Sequence, residues 1–233
     1  REGAWRFQVK LDHIHPQFLS MLVAYEDRRF ARHRGIDLMA VARAGWQLLT
    51  NGRIVSGAST ITMQLARLVE PRTERSLSAK LRQMVRAVQI ERRLTKDEIL
   101  ERYLTLAPYG GNLEGIRAAT LAWFGKEPKR LAPGEAALLV SLPQLPERRR
   151  PDRHHEAATK ARDRVLDRMR GTGALAALDI ERGRASPVPE TRRPIPFLAA
   201  HAAERALRER RYQLTLSRPV QERLESVALE AAE

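Results

Sequence analysis

Glu26 stands among apolar residues, in a place where a leucine would be expected. In HPQFLSMLVAYEDRRF, Pro16 suits a first helical turn and no breaker follows before Gly35, so the pattern predicts one helix through this region. Its apolar stripe runs Leu19, Leu22, Val23, Glu26 and Phe30, with Leu22 and Val23 three and four residues after Leu19, Glu26 three after Val23 and Phe30 four after Glu26. A carboxylate on such a stripe loses water in its charged form, which costs several kcal/mol unless the group is paired or has a chemical task. Two uses fit: an ion pair with one of the many arginines, or proton transfer in a cleft. Helical geometry places Asp27 and Phe30 within one turn of the carboxylate, with Asp27, Arg28 and Arg29 expected on more solvated faces. His33 and Gly35 close the segment, and His33 reads as a hydrogen-bonding turn residue rather than a base.

Two further groupings bear on chemistry. In SGASTITMQLARL, Ser56 to Leu68, small residues and hydroxyls lead into a helix start. The free backbone N–H groups there suit a phosphate or sugar oxygen, or simply an ordinary serine or threonine cap. Beyond it Arg67, Arg72, Arg75, Lys80 and Arg82 fall within sixteen residues. Arginine makes bidentate phosphate contacts, so this run suits a pyrophosphate; a solvated helix face is the competing reading.

The elements that must position these residues are helical. The spacing predicts helices over Leu38 to Leu49, Thr60 to Val69, Leu77 to Leu94, Lys96 to Ala107 and Glu114 to Phe124. Thr95 and Glu98 form a capping-box pair, and PYGGN at Pro108 breaks the helix that follows. Pro133 opens the buried-looking GEAALLVSL, and His155 to Met169 reads as a charged surface helix. There is no convincing alternating strand and no internal repeat. After Gly171 the composition shifts: ERGRASPVPETRRPIP holds four prolines and reads as a linker. Phe197 to Arg210 and Pro219 to Ala232 look helical around RYQLTLS, a candidate short strand, in a tail too small for its own core.

The 233 residues suffice for one large domain with an appendage, and 43% hydrophobic residues are compatible with a packed core. A net charge of +14 points to an anionic partner such as nucleic acid, lipid head groups or a phosphorylated substrate. Zero cysteines exclude disulfides and thiolate metal sites. The longest largely apolar stretch, Ala136 to Leu142, is far short of the ~20 residues that span a bilayer. The abrupt start at Arg1, without a signal peptide, reads as a segment of a longer protein.

In this order the segments resemble the motifs of glycosyltransferase family 51, the peptidoglycan glycosyltransferase domain of class A penicillin-binding proteins. EDRRFARHRG resembles the first motif and GASTITMQLAR the second; AKLRQMVRAVQIERRLTKDEILERYLT covers the third and fourth, and AATLAWFGKEPKRLAPGEAALLVSLPQLP resembles the fifth. The likeness runs from about Val9 to Met169, and PYGGNLEGI and PERRRPDR look most like the 1C class. It implies a mostly α-helical, lysozyme-like, two-lobed domain over residues 1–171. Residues 172–233 would be a linker and the start of a truncated transpeptidase region. It implies polymerisation of lipid II into glycan strands, with inversion and release of undecaprenyl pyrophosphate, at the periplasmic face of the bacterial inner membrane. The anchor helix is expected upstream. Partners would be lipid II, the nascent strand, the membrane surface and the parent protein's transpeptidase domain, and not nucleic acid. By position Glu26 would be the general base. Asp27, Phe30, His33, Ser59, Thr60, Gln64, Arg67, Arg75 and Lys80 would meet substrate.

Two residues depart from the family pattern. Gln83 stands where the third motif carries a second catalytic glutamate, with Ala79 and Lys80 in place of an Arg-Lys pair, and Thr105 stands where asparagine is usual. An amide holds no charge and binds a divalent cation weakly, so no cofactor is expected to be obligatory and any Mg or Mn site is weakened. Three other readings stay open: a lipid II- or glycan-binding domain impaired in catalysis, a lytic lysozyme-like glycosidase, and a nucleic-acid-binding module. Hydrolysis usually needs two flanking carboxylates. Nucleic-acid binding would need concentrated cations and stacking aromatics, but the arginines are spread out and aromatics are only 5%.

Overall fold

Helical periodicity is realised along most of the described chain. The computed structural model describes residues 3–51, 59–71, 76–195, 205, 208–209 and 217–230. Within these run β1 (Trp5–Arg6), α1 (Pro16–Glu26), α2 (Leu38–Asn51), α3 (Ile61–Val69), α4 (Leu77–Glu91), α5 (Lys96–Leu106) and β2 (Leu113–Glu114). Then follow α6 (Ile116–Phe124), α7 (Pro133–Ser141), α8 (His155–Met169), α9 (Ala177–Ala185) and α10 (Arg218–Glu230). The two strands pair in parallel, Trp5 with Leu113 and Arg6 with Glu114.

Helix α7 is apolar on every side, and Ala136 to Leu142 are all buried, so it takes a central position. It packs against α1, α8 and α9, while α3 packs against α4 and α5 in a second group. The Thr95 capping box forms as expected: Glu98 N–H donates to Thr95 Oγ1 and Thr95 N–H to Glu98 Oε2. Helix α8 is amphipathic rather than a purely charged surface helix, because Ala158, Ala161, Val165, Leu166 and Met169 are buried on one face.

Two expectations are overturned. Helix α1 ends at Glu26 instead of continuing toward Gly35, since Asp27 leaves helical geometry with φ −156° and ψ 74°. The buried hydrogen bonds that Asp27 makes elsewhere outweigh one further helical turn. The break expected at Gly171 is also displaced, for the chain divides into units of residues 1–193 and 194–233. Leu175, Ile180 and Val188 are buried, and α9 lies so close to α7 that a Cβ on Gly134 would stand 2.5 Å from the Gly183 carbonyl oxygen. The buried Arg162 guanidinium donates to the carbonyls of Ser186 and Arg184. Further on, Arg192 donates to Gly110 O at 3.0 Å and to Asn112 Oδ1 at 3.1 Å, and Arg193 N–H donates to Ala122 O at 2.7 Å. Pro187 and Pro189 therefore lie in chain held against the helices, not in a free linker, and Pro196 lies outside the described residues. In the second unit, α10 carries Val220, Leu224 and Val227 exposed; RYQLTL and most of Phe197 to Arg210 lie outside the described residues.

Candidate active site

As the last residue of α1, Glu26 projects from a helix end at the edge of a cleft of about 600 Å³. Two amides hold its carboxylate. Gln64 of α3 donates from Nε2 to Oε2 at 2.8 Å, and Gln144, in the short turn after α7, donates from Nε2 to Oε1 at 2.7 Å. Burial raises the carboxyl above its ordinary pKa, while the two amides, and then the charges of Arg168 and Arg149, oppose the rise. Behind the site, the buried Tyr103 hydroxyl of α5 donates to Gln64 Oε1 at 3.3 Å. Desolvation, reinforced by the nearby Glu26 charge, keeps the Tyr103 and Tyr109 phenols protonated.

Asp27, Phe30 and His33 are brought beside Glu26, but their side chains turn inward. Asp27 accepts from Ile61 N–H at 3.0 Å, at the start of α3, and from His33 Nε2 at 2.9 and 3.0 Å. Its side chain is 3% exposed, so the solvated face expected for it is replaced by a buried bridge between the end of α1 and the start of α3. Phe30 is buried under the Lys96 ammonium, 4.4 Å from its ring centroid. Lys96 also donates to His33 O and to Glu91 Oε1, which accepts in turn from Thr62. These residues therefore position the site from inside the packing. Gly35 completes the turn with φ +91°, where a Cβ would lie 2.8 Å from the Ala87 backbone, so only glycine fits. Thr60 caps α3 by accepting from Met63 N–H and donates to Gly35 O at 2.6 Å. It also lines the cleft beside Ser59.

The third group of predicted residues gathers around α4. Lys80 donates to Ser59 Oγ at 3.3 Å and to Gln83 Oε1 at 3.2 Å, and Gln83 Nε2 donates to Met63 O at 2.5 Å. Glu26 and Gln83 are thus tied to α3 through the adjacent residues Gln64 and Met63. Partial burial, and then the charge of Arg67, lower the Lys80 pKa, as expected for cations gathered in one place. A divalent cation does not fit at Gln83: its single acceptor atom already faces an ammonium, and its other end is a donor. Arg72 and Arg75 lie outside the described residues.

The cleft is walled by Tyr25, Arg28, Arg32, Arg43, Ser59 and Arg168, a surface suited to an anionic ligand. Arg168 lies over the Tyr25 ring at 5.1 Å. Arg29 and Asp37 form an ion pair at the entrance to α2, whose first turn Asp37 caps through Ala40 N–H at 2.9 Å. Along α2, Leu38, Met39, Val41, Trp46 and Leu49 are exposed, while Ala40 and Ala44 face inward. Sequence reasoning missed Tyr103, Gln144, Arg149 and Arg168, which sit far along the chain from Glu26. The only signal was Gln144 between two prolines directly after the apolar α7 segment.

A family model described as Transglycosylase matches residues 1–170. Penicillin-binding protein 1C of Escherichia coli is 43% identical over 230 residues, covering 97% of this chain and 30% of that protein. Penicillin-binding protein 1A of Pseudomonas aeruginosa is 40% identical over 170 residues, covering 73% of this chain and 21% of that protein. The crystal structure of penicillin-binding protein 1A from Haemophilus influenzae aligns with a TM-score of 0.48 and 19% identity, over 90% of this chain and 22% of that one. The chain spans less than a third of the length of these curated relatives. The ordered motifs and the family match over residues 1–170 agree: this chain belongs to the transglycosylase family.

Proposed function

We propose that this chain polymerises lipid II at the periplasmic face of the bacterial inner membrane, with Glu26 as the general base. One observation carries the assignment: a desolvated carboxylate is held by two amides at the edge of a cleft walled by arginines. A base works best when its pKa lies near the working pH, and burial moves Glu26 that way while the amide donors keep the ionised form populated. Glu26 takes the proton from the acceptor's 4-hydroxyl as that oxygen bonds to the donor's anomeric carbon. The bond from that carbon to the diphosphate oxygen breaks, its electron pair leaves with undecaprenyl pyrophosphate, and the configuration inverts. Arg67 and Lys80, with Arg75 as a further candidate, neutralise the leaving diphosphate.

The exposed apolar residues of α2, with Arg43 among them, suit an anionic lipid surface. Among the described residues no helix is long and apolar enough to cross a membrane, so contact through α2 would be interfacial. The nascent strand and a transpeptidase domain of a longer parent protein complete the proposed partners. Gln83 favours a second reading, in which the domain binds lipid II without turning it over. Labelled lipid II decides between them. Polymer from the parent protein, and its loss in Glu26→Gln, support the first reading; tight binding without polymer supports the second. Equal polymer from both proteins removes Glu26 from the chemistry.

A further inference from the structure

Each amide on Glu26 has its own orientation set by a donor behind it. An amide presents its NH₂ group to a carboxylate reliably only when its carbonyl is committed elsewhere. The Gln64 carbonyl accepts from the Tyr103 hydroxyl at 3.3 Å. The Gln144 carbonyl accepts from Arg149 Nη1 at 3.2 Å, and the same nitrogen donates to Ser141 O at 2.6 Å, at the end of α7. One carboxylate oxygen is therefore held from α3 and α5, the other from the segment that leaves α7. Gln144 is exposed, so its place is set by these bonds and not by packing.

We propose that Gln144, oriented by Arg149, is a positioning residue that holds Glu26 Oε1 and directs the free lone pairs of the carboxylate toward the cleft. The proposal rests on Glu26 being the base, and it gives the segment after α7 a part in the proton transfer without contact to substrate. Other groups facing Glu26 are Arg168 of α8, Arg149 itself, Tyr103 of α5 and the following Tyr109. Tyr25 precedes Glu26 on α1, and Arg67 of α3 acts on Tyr103. None of these is itself substituted in Gln144→Leu, which removes both the bond to Glu26 Oε1 and the bond that Gln144 accepts from Arg149, so the double variant is needed to separate the two.

The experiment is the pH dependence of kcat and kcat/KM for lipid II in the parent, Gln144→Leu, Arg149→Lys and the double variant, with Tm measured for each. A donor to the carboxylate favours its ionised form, so Gln144→Leu moves the acid limb to higher pH by about one pH unit, equivalent to about tenfold in proton affinity. The kcat falls while KM stays within about twofold, as for an interaction that matters in the transition state. Arg149→Lys keeps the charge but ends short of the position of Nη1, the one nitrogen that makes both bonds, so it moves the limb in the parent and adds nothing in Gln144→Leu. An unmoved limb in Gln144→Leu overturns the proposal, as does a raised KM with kcat preserved, which would mark a substrate contact. Equal effects of Arg149→Lys in both backgrounds overturn the relay. Full activity in Glu26→Gln sinks the base reading itself, whereas an inactive Glu26→Gln with an unmoved Gln144→Leu limb sinks only the positioning role.

Discussion

Removing residues 172–233 should cripple the domain, whereas removing residues 194–233 should not. The shorter fragment exposes the faces of α7 and α8 that α9 covers, and it deletes the buried Leu175, Ile180 and Val188. Burial of each such side chain is worth roughly 1.5–3 kcal/mol, so the three together contribute about 4.5–9 kcal/mol; a compact unfolded state lowers that to about 3–8 kcal/mol. Arg162 loses the Ser186 and Arg184 carbonyls and keeps only Asp163, and the lost bonds to a charged donor add roughly 1–3 kcal/mol of destabilisation. The total is comparable with the roughly 5–15 kcal/mol that holds a whole domain together. At about 2–4 °C per kcal/mol for a chain of this size, fragment 1–171 should melt some ~10–40 °C below fragment 1–193, or fail to fold. Thermal unfolding by circular dichroism and the rate of lipid II polymerisation, measured on both fragments and the full chain, test this. Fragment 1–193 should match the full chain in both. Equal Tm for fragments 1–171 and 1–193 would refute the reasoning and restore a boundary near Gly171.

Four further predictions are separable from it. Glu26→Gln should cut turnover by about 10²–10⁴-fold. Since burial raises the folded-state pKa of Glu26, its ionisation costs stability as pH rises from the ordinary 4.5 through the raised value. The Tm of Glu26→Gln relative to the parent should therefore rise across that window, and a flat difference would contradict the burial argument. Trp46→Ser with Leu49→Ser should abolish binding to anionic liposomes at little cost in Tm, because those side chains are 68% and 82% exposed; a large fall in Tm would mean that they are core. Gln83→Glu turns a donor facing Met63 O into an acceptor, so it should lower stability by roughly 1–3 kcal/mol. Turnover in the parent should be indifferent to chelator, and inhibition by chelator would show that a cation fits where the Lys80 ammonium sits. Gln144→Leu should move the acid limb of the pH profile upward as described above.

The helices and their caps were legible because they depend on neighbours in sequence. Pro16, Thr95 with Glu98, and Pro133 act within a few residues, and the helix starts at 16, 96 and 133 are where the local pattern puts them. Glu26 stood out for a related reason, since a charge among leucines is visible at helical spacing. The fate of Asp27 was not legible, because leaving the helix is favourable only when Ile61 N–H and His33 arrive from elsewhere to meet it. The same holds for the segment from Gly171 to Arg193. Its prolines and charges read as linker, and residues far off in sequence, Gly134, Arg162 and Trp123 among them, give it a surface to lie on.

The sequence by itself determined the helical class, the motif order and the carboxylate that could act as a base. Tertiary structure alone decided what surrounds that carboxylate. Gln64 is 38 positions away from Glu26 and Gln144 is 118 away, and no periodicity relates them. Hydrogen bonds act over about 3 Å, so which donors meet a carboxylate depends on how α1, α3 and α7 pack. That packing also places the cations, and with them the balance between burial, which neutralises Glu26, and hydrogen bonding, which keeps it ionised.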